Sequence, residues 1–405
     1  MFPEQTKNKS WLERWIFISV FFLPVYLVRF PGFNLLDIFI VAVFFLWIFS
    51  TENKKEILGR LFFQNKLAVA GASLIVVGFF AGLLKTENFL ASLGIIKSWI
   101  IFPLMLAVVF RTGVSEEGWK RLAKTVFYSA TGVAFLSLIM ALKNGLTYDG
   151  RLSGIFNSPN YLFMYLASGI IFGTIVLNET LEKKKHHQFL WNGLTLAFLV
   201  MVAFFAKAYA GILALLMAEG FLLRKFFGKR KIWLTILMVL FLGWVVFESD
   251  SEKFQSLISF DERSSFSSRE IIWEVSVRII QDNWFLGVGG ADFQGKYLEY
   301  QKFFPPYLEW AVPHPHNLFL AFWLGGGILG LSGFLILIFN WIKISRRQEK
   351  KLLVGASVII LYFMLHGLFD TTYFKNDLAC LFWLAYSFFL KLDPPDSSII
   401  AIHEK

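Results

Sequence analysis

Apolar runs of about thirteen to twenty-five residues, most of them near the length an α-helix needs to cross a bilayer, recur along this chain between short polar connections. Their boundaries predict spans at 15–31, 33–50, 67–84, 94–110, 125–142, 160–177, 189–206, 208–223, 232–247, 318–342, 352–369 and 378–390. The pattern is that of an all-α polytopic membrane protein with about 12 transmembrane helices packed as one domain over 1–405. One interval breaks the rhythm. Residues 248–317 form a polar loop between the ninth and tenth spans, and loops that long usually carry function. The loop is expected to be partly helical. Ser267-Ser268-Arg269-Glu270 fits a capping box with Ser267 as N-cap, and Glu270, Glu274 and Arg278 share one stripe at i, i+4 spacing. Ile272, Trp273, Val277 and Ile280 lie away from that stripe. Gly287-Val288-Gly289-Gly290 then reads as a turn; with no preceding strand and no following lysine it is weak evidence for a phosphate loop.

Composition supports the membrane class. Of 405 residues 56% are hydrophobic, 48 are Phe, and 17% are charged, below the roughly 25% of a soluble domain. The net charge of +10 does not point to nucleic acid, because it alternates along the chain. Lys54, Lys55, Arg60 and Lys66 fall in one connection, Arg111, Lys120, Arg121 and Lys124 in another, then Lys183 to Lys185, Arg224 to Lys231, and Lys343 to Lys351, while the connections between them are nearly bare. The positive-inside rule then places both termini in the cytoplasm and 248–317 on the outer side. Cys380 is the only cysteine, which rules out an internal disulfide or a paired-thiolate metal site. The first apolar run lacks a small-residue cleavage site and reads as a retained helix. No internal repeat is visible, and the end from Asp393 reads as a flexible tail.

Candidate chemistry gathers at the outer connections. Pro313-His314-Pro315-His316-Asn317 sets two of the six histidines where the long loop meets the tenth span. Imidazole is the side chain that titrates nearest neutrality. A second outer connection, Lys143 to Asn160, contains Arg151 and the turn Asn157-Ser158-Pro159-Asn160, which reads as an N-cap opening the sixth span. Lys207, in the tight gap between the seventh and eighth spans, must lie near hydrocarbon depth, where a charge is costly. Each has a structural alternative. His316 could cap the tenth span, Arg151 and Arg269 could anchor the interface, and Lys207 could snorkel. Glu248, Asp250 and Glu252 read as a solvated edge without the convergence of a metal cage. Tyr297, Tyr300, Phe303, Phe304, Tyr307 and Trp310 read as an interfacial aromatic belt. Neither a metal nor a cofactor is expected.

Over 151–390 these pieces together resemble the bacterial O-antigen ligase and O-antigen polymerase superfamily. His316-Asn317, nine residues, Gly327, two residues and Gly330 fit the ligase pattern. Ser268-Arg269 with Trp273, then Gly287-Val288-Gly289 and Phe293, is similar to the family's outer-loop sequence. Arg151 to Asn160 is similar to its Arg-x-x-Gly-x-Phe-x-x-Pro-Asn segment, and His366 to Asp370 also matches in character. One departure stands out: where many members have Ser-Arg-Gly, this chain has Ala208-Tyr209-Ala210. Lys207 nearby supplies a point charge without the bidentate fork of Arg.

The resemblance implies a metal-independent, inverting glycosyltransferase of the bacterial inner membrane. Its donor would be a glycan on undecaprenyl diphosphate, and its acceptor a sugar hydroxyl, on lipid A core for a ligase or on another repeat unit for a polymerase. His316 would act as base, and Arg269, Arg151 and Lys207 would bind the diphosphate. His314, Asn317, Arg278 and Asn160 would support them. A transporter of the same lipid carrier is the rival from another class; it would show charged or broken helices at mid-membrane and repeat symmetry.

Overall fold

The computed structural model describes residues 3–115, 118–227, 265–305, 312–346 and 351–392, with scattered positions between 243 and 259. The ninth expected span (232–247), Glu252, Tyr307, Trp310 and the tail from Asp393 lie wholly or largely outside them. The regular secondary structure of the described residues is helical, apart from one hairpin of two-residue strands. Its helices are α1 (Pro3–Phe21), α2 (Leu35–Ser50), α3 (Lys54–Gln64), α4 (Lys66–Gly82), α5 (Phe89–Ile95), α6 (Phe102–Gly113), α7 (Gly118–Asn144), α8 (Pro159–Glu182), α9 (His186–Phe205) and α10 (Tyr209–Phe227). After the long loop begins come α11 (Ser265–Asn283), α12 (Phe293–Tyr300), α13 (Leu318–Ser345), α14 (Lys351–Gly367) and α15 (Asn376–Ser387).

Most of these helices coincide with the expected spans. Among the described residues, five are long and apolar enough to cross a membrane, or six if α2 and α3, bent by 113°, count as one. A π-helical stretch over Ile96–Ile101 joins α5 and α6 into one of the five. Three expectations need correction. The first span does not run to 31: α1 stops at Phe21, and Pro24 starts a 3-10 turn over Leu23–Leu27. The chain then folds into a hairpin, Arg29–Phe30 (β1) against Phe33–Asn34 (β2). The basic connection after 50 is itself the helix α3. The last expected span is only the 12 residues of α15, buried along its whole length. At 1.5 Å per residue it reaches about 18 Å, short of a bilayer core.

The two ends of the bundle differ in kind. At one end lie basic side chains, with Arg111 donating to the Leu390 carbonyl at 2.8 Å and Arg121 paired with Glu13 at 3.0 Å. At the other end the hairpin and the loops 145–158, 206–208, 284–292, 312–317 and 368–375 converge. Leu152 N bonds Phe205 O there at 2.8 Å, and Lys97 bonds Gly32 O at 2.6 Å.

The tightest seam in the bundle is α4 against α13. Backbones approach so closely that a Cβ added at Gly78 would stand 2.4 Å from Gly326 O, and one at Gly71 2.8 Å from Gly333 O. Within α13, Gly327 leaves the helix with φ 61° and ψ −162°, a region open essentially only to glycine. The break lets Ile328 N turn outward to Trp284 O at 3.1 Å, while Val288 N bonds Leu324 O at 2.7 Å. The glycine of the His-Asn-x9-Gly pattern is thus where the long loop is stitched into the helix that presents His316.

Candidate functional site

The long loop reaches the bundle through α11. Its buried side is Ile272, Val275, Ser276, Ile279 and Ile280, while Glu270, Glu274 and Arg278 form the exposed stripe. Val277 faces solvent as well, contrary to expectation. The helix is already under way at Ser265, so Ser267 lies inside its first turn and is not the N-cap. Phe266, one position earlier, packs edge-on to Trp273 and extends the packed face backwards. Arg278 is half exposed and pairs with Asp282 at 3.7 Å, on the side away from the histidines.

Asn317, not His316, caps α13: its side-chain oxygen accepts from Phe319 N at 2.9 Å and Leu320 N at 3.1 Å, and its amide donates to Leu368 O at 3.0 Å. That removes the capping explanation for His316. His316 instead has a left-handed backbone, φ 47°, uncommon for a residue with a side chain. Trp273 Nε1 donates to its carbonyl at 3.3 Å. The imidazole turns toward Asp370, on the loop after α14. His316 Nδ1 lies 3.3 Å from Asp370 Oδ1, and His314 Nδ1 4.0 Å from the same oxygen. The two rings meet edge to face with centroids 4.2 Å apart.

Asp370 is the centre of this arrangement. It is 1% exposed. Its Oδ2 accepts from Asn160 Nδ2 at 2.8 Å, and its Oδ1 from its neighbour Thr371 N at 2.8 Å. Burial pushes its carboxyl up, but His316, His314 and Arg269 together outweigh burial and hold it well below the usual carboxylate range. A carboxylate is thus kept ionised by the cations and rings around it. Burial and the adjacent His316 push His314 down to about 3, so His314 is uncharged at neutral pH. Neither Nδ1 is within hydrogen-bond geometry of a partner among the described residues.

Arg151, Asn160 and Arg269 belong to the same locus. Arg151 Nη1 donates to Asn160 Oδ1 at 3.3 Å, so Asn160 passes a contact from Arg151 to Asp370. Ser158 caps α8 as expected, its hydroxyl accepting from Asn160 N. Gly154, with φ 59°, lets the loop lie against Ser137, whose Oγ would be 2.0 Å from an added Cβ. Arg151 also pairs with Asp149. Arg269 donates to Phe369 O and Ser265 O, both at 2.9 Å, and among the described residues it has no carboxylate in ion-pair contact. Burial pushes its guanidinium pKa down, with Asp370 acting the other way and Arg151 adding to the lowering. Lys207, with φ 45°, pairs with Glu248 at 3.2 Å, and Tyr209 donates to the same carboxylate at 2.9 Å. Glu248 is therefore not a solvated edge but a buried partner, 3% exposed, whereas Asp250 is exposed.

Sequence reasoning left Asp370 out of the site, although its segment had drawn notice. It lies 54 residues from His316, and no spacing rule links them. Tyr161, at the first turn of α8 with its ring 5.8 Å from His314, and Lys375, whose ammonium lies 4.0 Å over that ring, were missed as well. His314, His316 and Asp370 place one donor atom each within 4.8 Å of one another. Two imidazoles and a carboxylate at that spacing could hold a transition metal, although the sequence pattern alone points to no metal site.

Residues 191–335 match the family model of the O-antigen ligases; no curated protein matches the chain. Lys207, Arg269, His314, His316 and Gly327 fall within the matched segment. Arg151, Asn160 and Asp370 fall outside it and join the site only through the fold.

Proposed function

We propose that this member of the O-antigen ligase and polymerase superfamily moves a glycan from a polyprenyl diphosphate, such as undecaprenyl diphosphate, to a sugar hydroxyl at the outer face of the bacterial inner membrane. His316 is the general base. Asp370 beside Nδ1 keeps the proton on that nitrogen and leaves Nε2 to take the acceptor proton. As the acceptor oxygen bonds to the anomeric carbon from one face, the bond to the diphosphate oxygen breaks on the other, inverting the centre. The departing diphosphate gathers charge, which Arg269 and Arg151 neutralise; preorganised cations of this kind are usually a large part of such catalysis. Arg151 and Lys207 are each already paired, with Asp149 and Glu248, so Arg269 has the strongest claim. The reading needs no metal, because Asp370 has a complete role in holding the histidine. Both termini are cytoplasmic in this reading, which puts the histidine end of the bundle outside.

The observation that carries the proposal is His316 Nδ1 at 3.3 Å from a buried carboxylate that Asn160 and Thr371 hold in place. Lipid A core as acceptor makes the protein a ligase, and a second carrier-linked repeat unit makes it a polymerase. Transfer in vitro from a defined polyprenyl diphosphate glycan to each acceptor distinguishes them. In that assay His316→Ala should lower turnover about 10²–10⁴-fold, the usual share of a general base, with donor binding little changed and His314→Ala milder. Full activity in His316→Ala removes the catalytic assignment. Equal losses at both histidines make the turn merely structural.

A further inference from the structure

The same end of the bundle holds a cavity of about 360 Å³ that the transfer chemistry above does not use, within the usual size of small-ligand sites. One wall is the hairpin, with Arg29, Phe33 and Asn34; the opposite wall is α5 and the π-turn, with Lys97 and Trp99; Asn376 lies between them. Lys97 is already balanced. It pairs with buried Asp37 at 2.8 Å and lies 4.4 Å over the ring of Phe33, which fixes the wall. Arg29 and Lys375 are different. Lys375 adjoins the lining Asn376 in sequence, and its charge and that of Arg29 repel each other. Asp377 and Asp370 offset Lys375 through space, yet among the described residues neither cation has a carboxylate in ion-pair contact. Arg29 thus lines the cavity without such a partner, and a wall of that kind favours an anion beside it.

Lys375 also links the cavity to the reacting histidines. Its ammonium lies 4.0 Å over the ring of Tyr161, and that ring is 5.8 Å from His314, itself 4.2 Å from His316. An anionic group held by Arg29 in the cavity would therefore lie beside the wall from which Lys375 reaches toward the histidines. The hairpin wall of the cavity is partly apolar: Phe30 and Phe33 line it and are each about half exposed, as side chains at a membrane interface are.

We infer that this cavity is a second substrate subsite, binding a phosphate-bearing sugar of the acceptor while the donor diphosphate occupies the Arg269 side. This rests on the proposed transfer reaction for its role, but binding can be read without transfer. Ala91 lines the cavity and is exposed; in the full-length protein with Cys380→Ala, Ala91→Cys supplies the one thiol. Glucose 1-phosphate should slow its alkylation by a water-soluble maleimide at least about fivefold, and neutral methyl glucoside should not. Arg29→Gln should raise the half-protecting concentration about 10- to 100-fold, the share of a charge-assisted contact. Arg269→Ala and His316→Ala should leave protection intact, so an error about catalysis would not disturb this result. Nanodiscs containing a lipid-anchored phosphosugar, against plain phosphatidylcholine, tell the sources apart: protection there assigns the site to a membrane-borne acceptor, and protection by the soluble probe alone assigns it to a free sugar phosphate. Absence of protection by both phosphates, equal protection by the neutral sugar, or protection that survives Arg29→Gln overturns the inference.

Discussion

Asp370→Asn is the substitution that bears most directly on the site. Asn keeps the shape of the side chain and removes its charge. In the native protein one carboxylate oxygen serves Asn160 Nδ2 at 2.8 Å, and the other serves Thr371 N at 2.8 Å and faces His316 Nδ1 at 3.3 Å. The single amide oxygen of Asn cannot serve both sides, so either Asn160 or Thr371 and His316 would face an NH₂ group. A buried donor left unpaired costs about 1–3 kcal/mol, which a thermal melt should register as a modest loss of stability. The kinetic effect should be larger. A unit charge at 3.3 Å stabilises the imidazolium formed during transfer by at most roughly 5 kcal/mol at an effective dielectric of about 20. A 10²–10⁴-fold loss in turnover corresponds to roughly 3–5 kcal/mol, so the upper end of that range is as much as the geometry can supply. The assay is single-turnover transfer in detergent, with donor binding measured separately. Turnover should fall by at least about a hundredfold while donor affinity changes little. A variant retaining more than about a tenth of native turnover, or one whose donor binding falls in step with its rate, would refute the orienting role.

Arg269→Ala should weaken both donor binding and turnover, because the diphosphate is bound in the ground state and gains charge as it leaves; Arg269→Lys should restore only part of each, as it lacks the planar fork, and complete rescue by Lys would reduce Arg269 to a point charge. Gly327→Ala should abolish folded protein, since its φ of 61° is strained for Ala and the new Cβ would stand 2.0 Å from Phe285 O, whereas Gly132→Ala meets nothing within 4 Å and should be neutral in yield by size-exclusion chromatography. Activity of purified protein should survive EDTA; loss with EDTA and recovery with a divalent ion would put a metal between His314, His316 and Asp370 and replace the base mechanism.

Hydrophobic periodicity determined the membrane class and most helix positions, because burying or embedding an apolar run of a given length depends on local composition alone. Charge alternation grouped two of the basic connections that the fold brings together, with Asn65 and Arg111 both bonded to the chain at Leu390–Lys391. Local motifs were partly legible: Ser158 caps α8, whereas the glycines of 287–290 lie in the irregular connection just after a turn at 284–286. Where local signals competed, sequence was a poorer guide. Pro24 ended the first helix early, and the expected last span proved to be a short helix wholly enclosed by others. The site divides the same way. His316, Arg269, Arg151 and Asn160 could be picked out as polar residues at the edges of apolar runs. Asp370 could not, because its importance comes from contacts with residues 54 and 210 positions away that only packing creates. The same holds for Glu248, which looked solvated until the fold buried it against Lys207, and for Gly327, whose need for a left-handed backbone arises only when the long loop packs into α13. Chain-local chemistry names the candidates; the approach of distant segments, and the burial and charge that come with it, decides which of them act together.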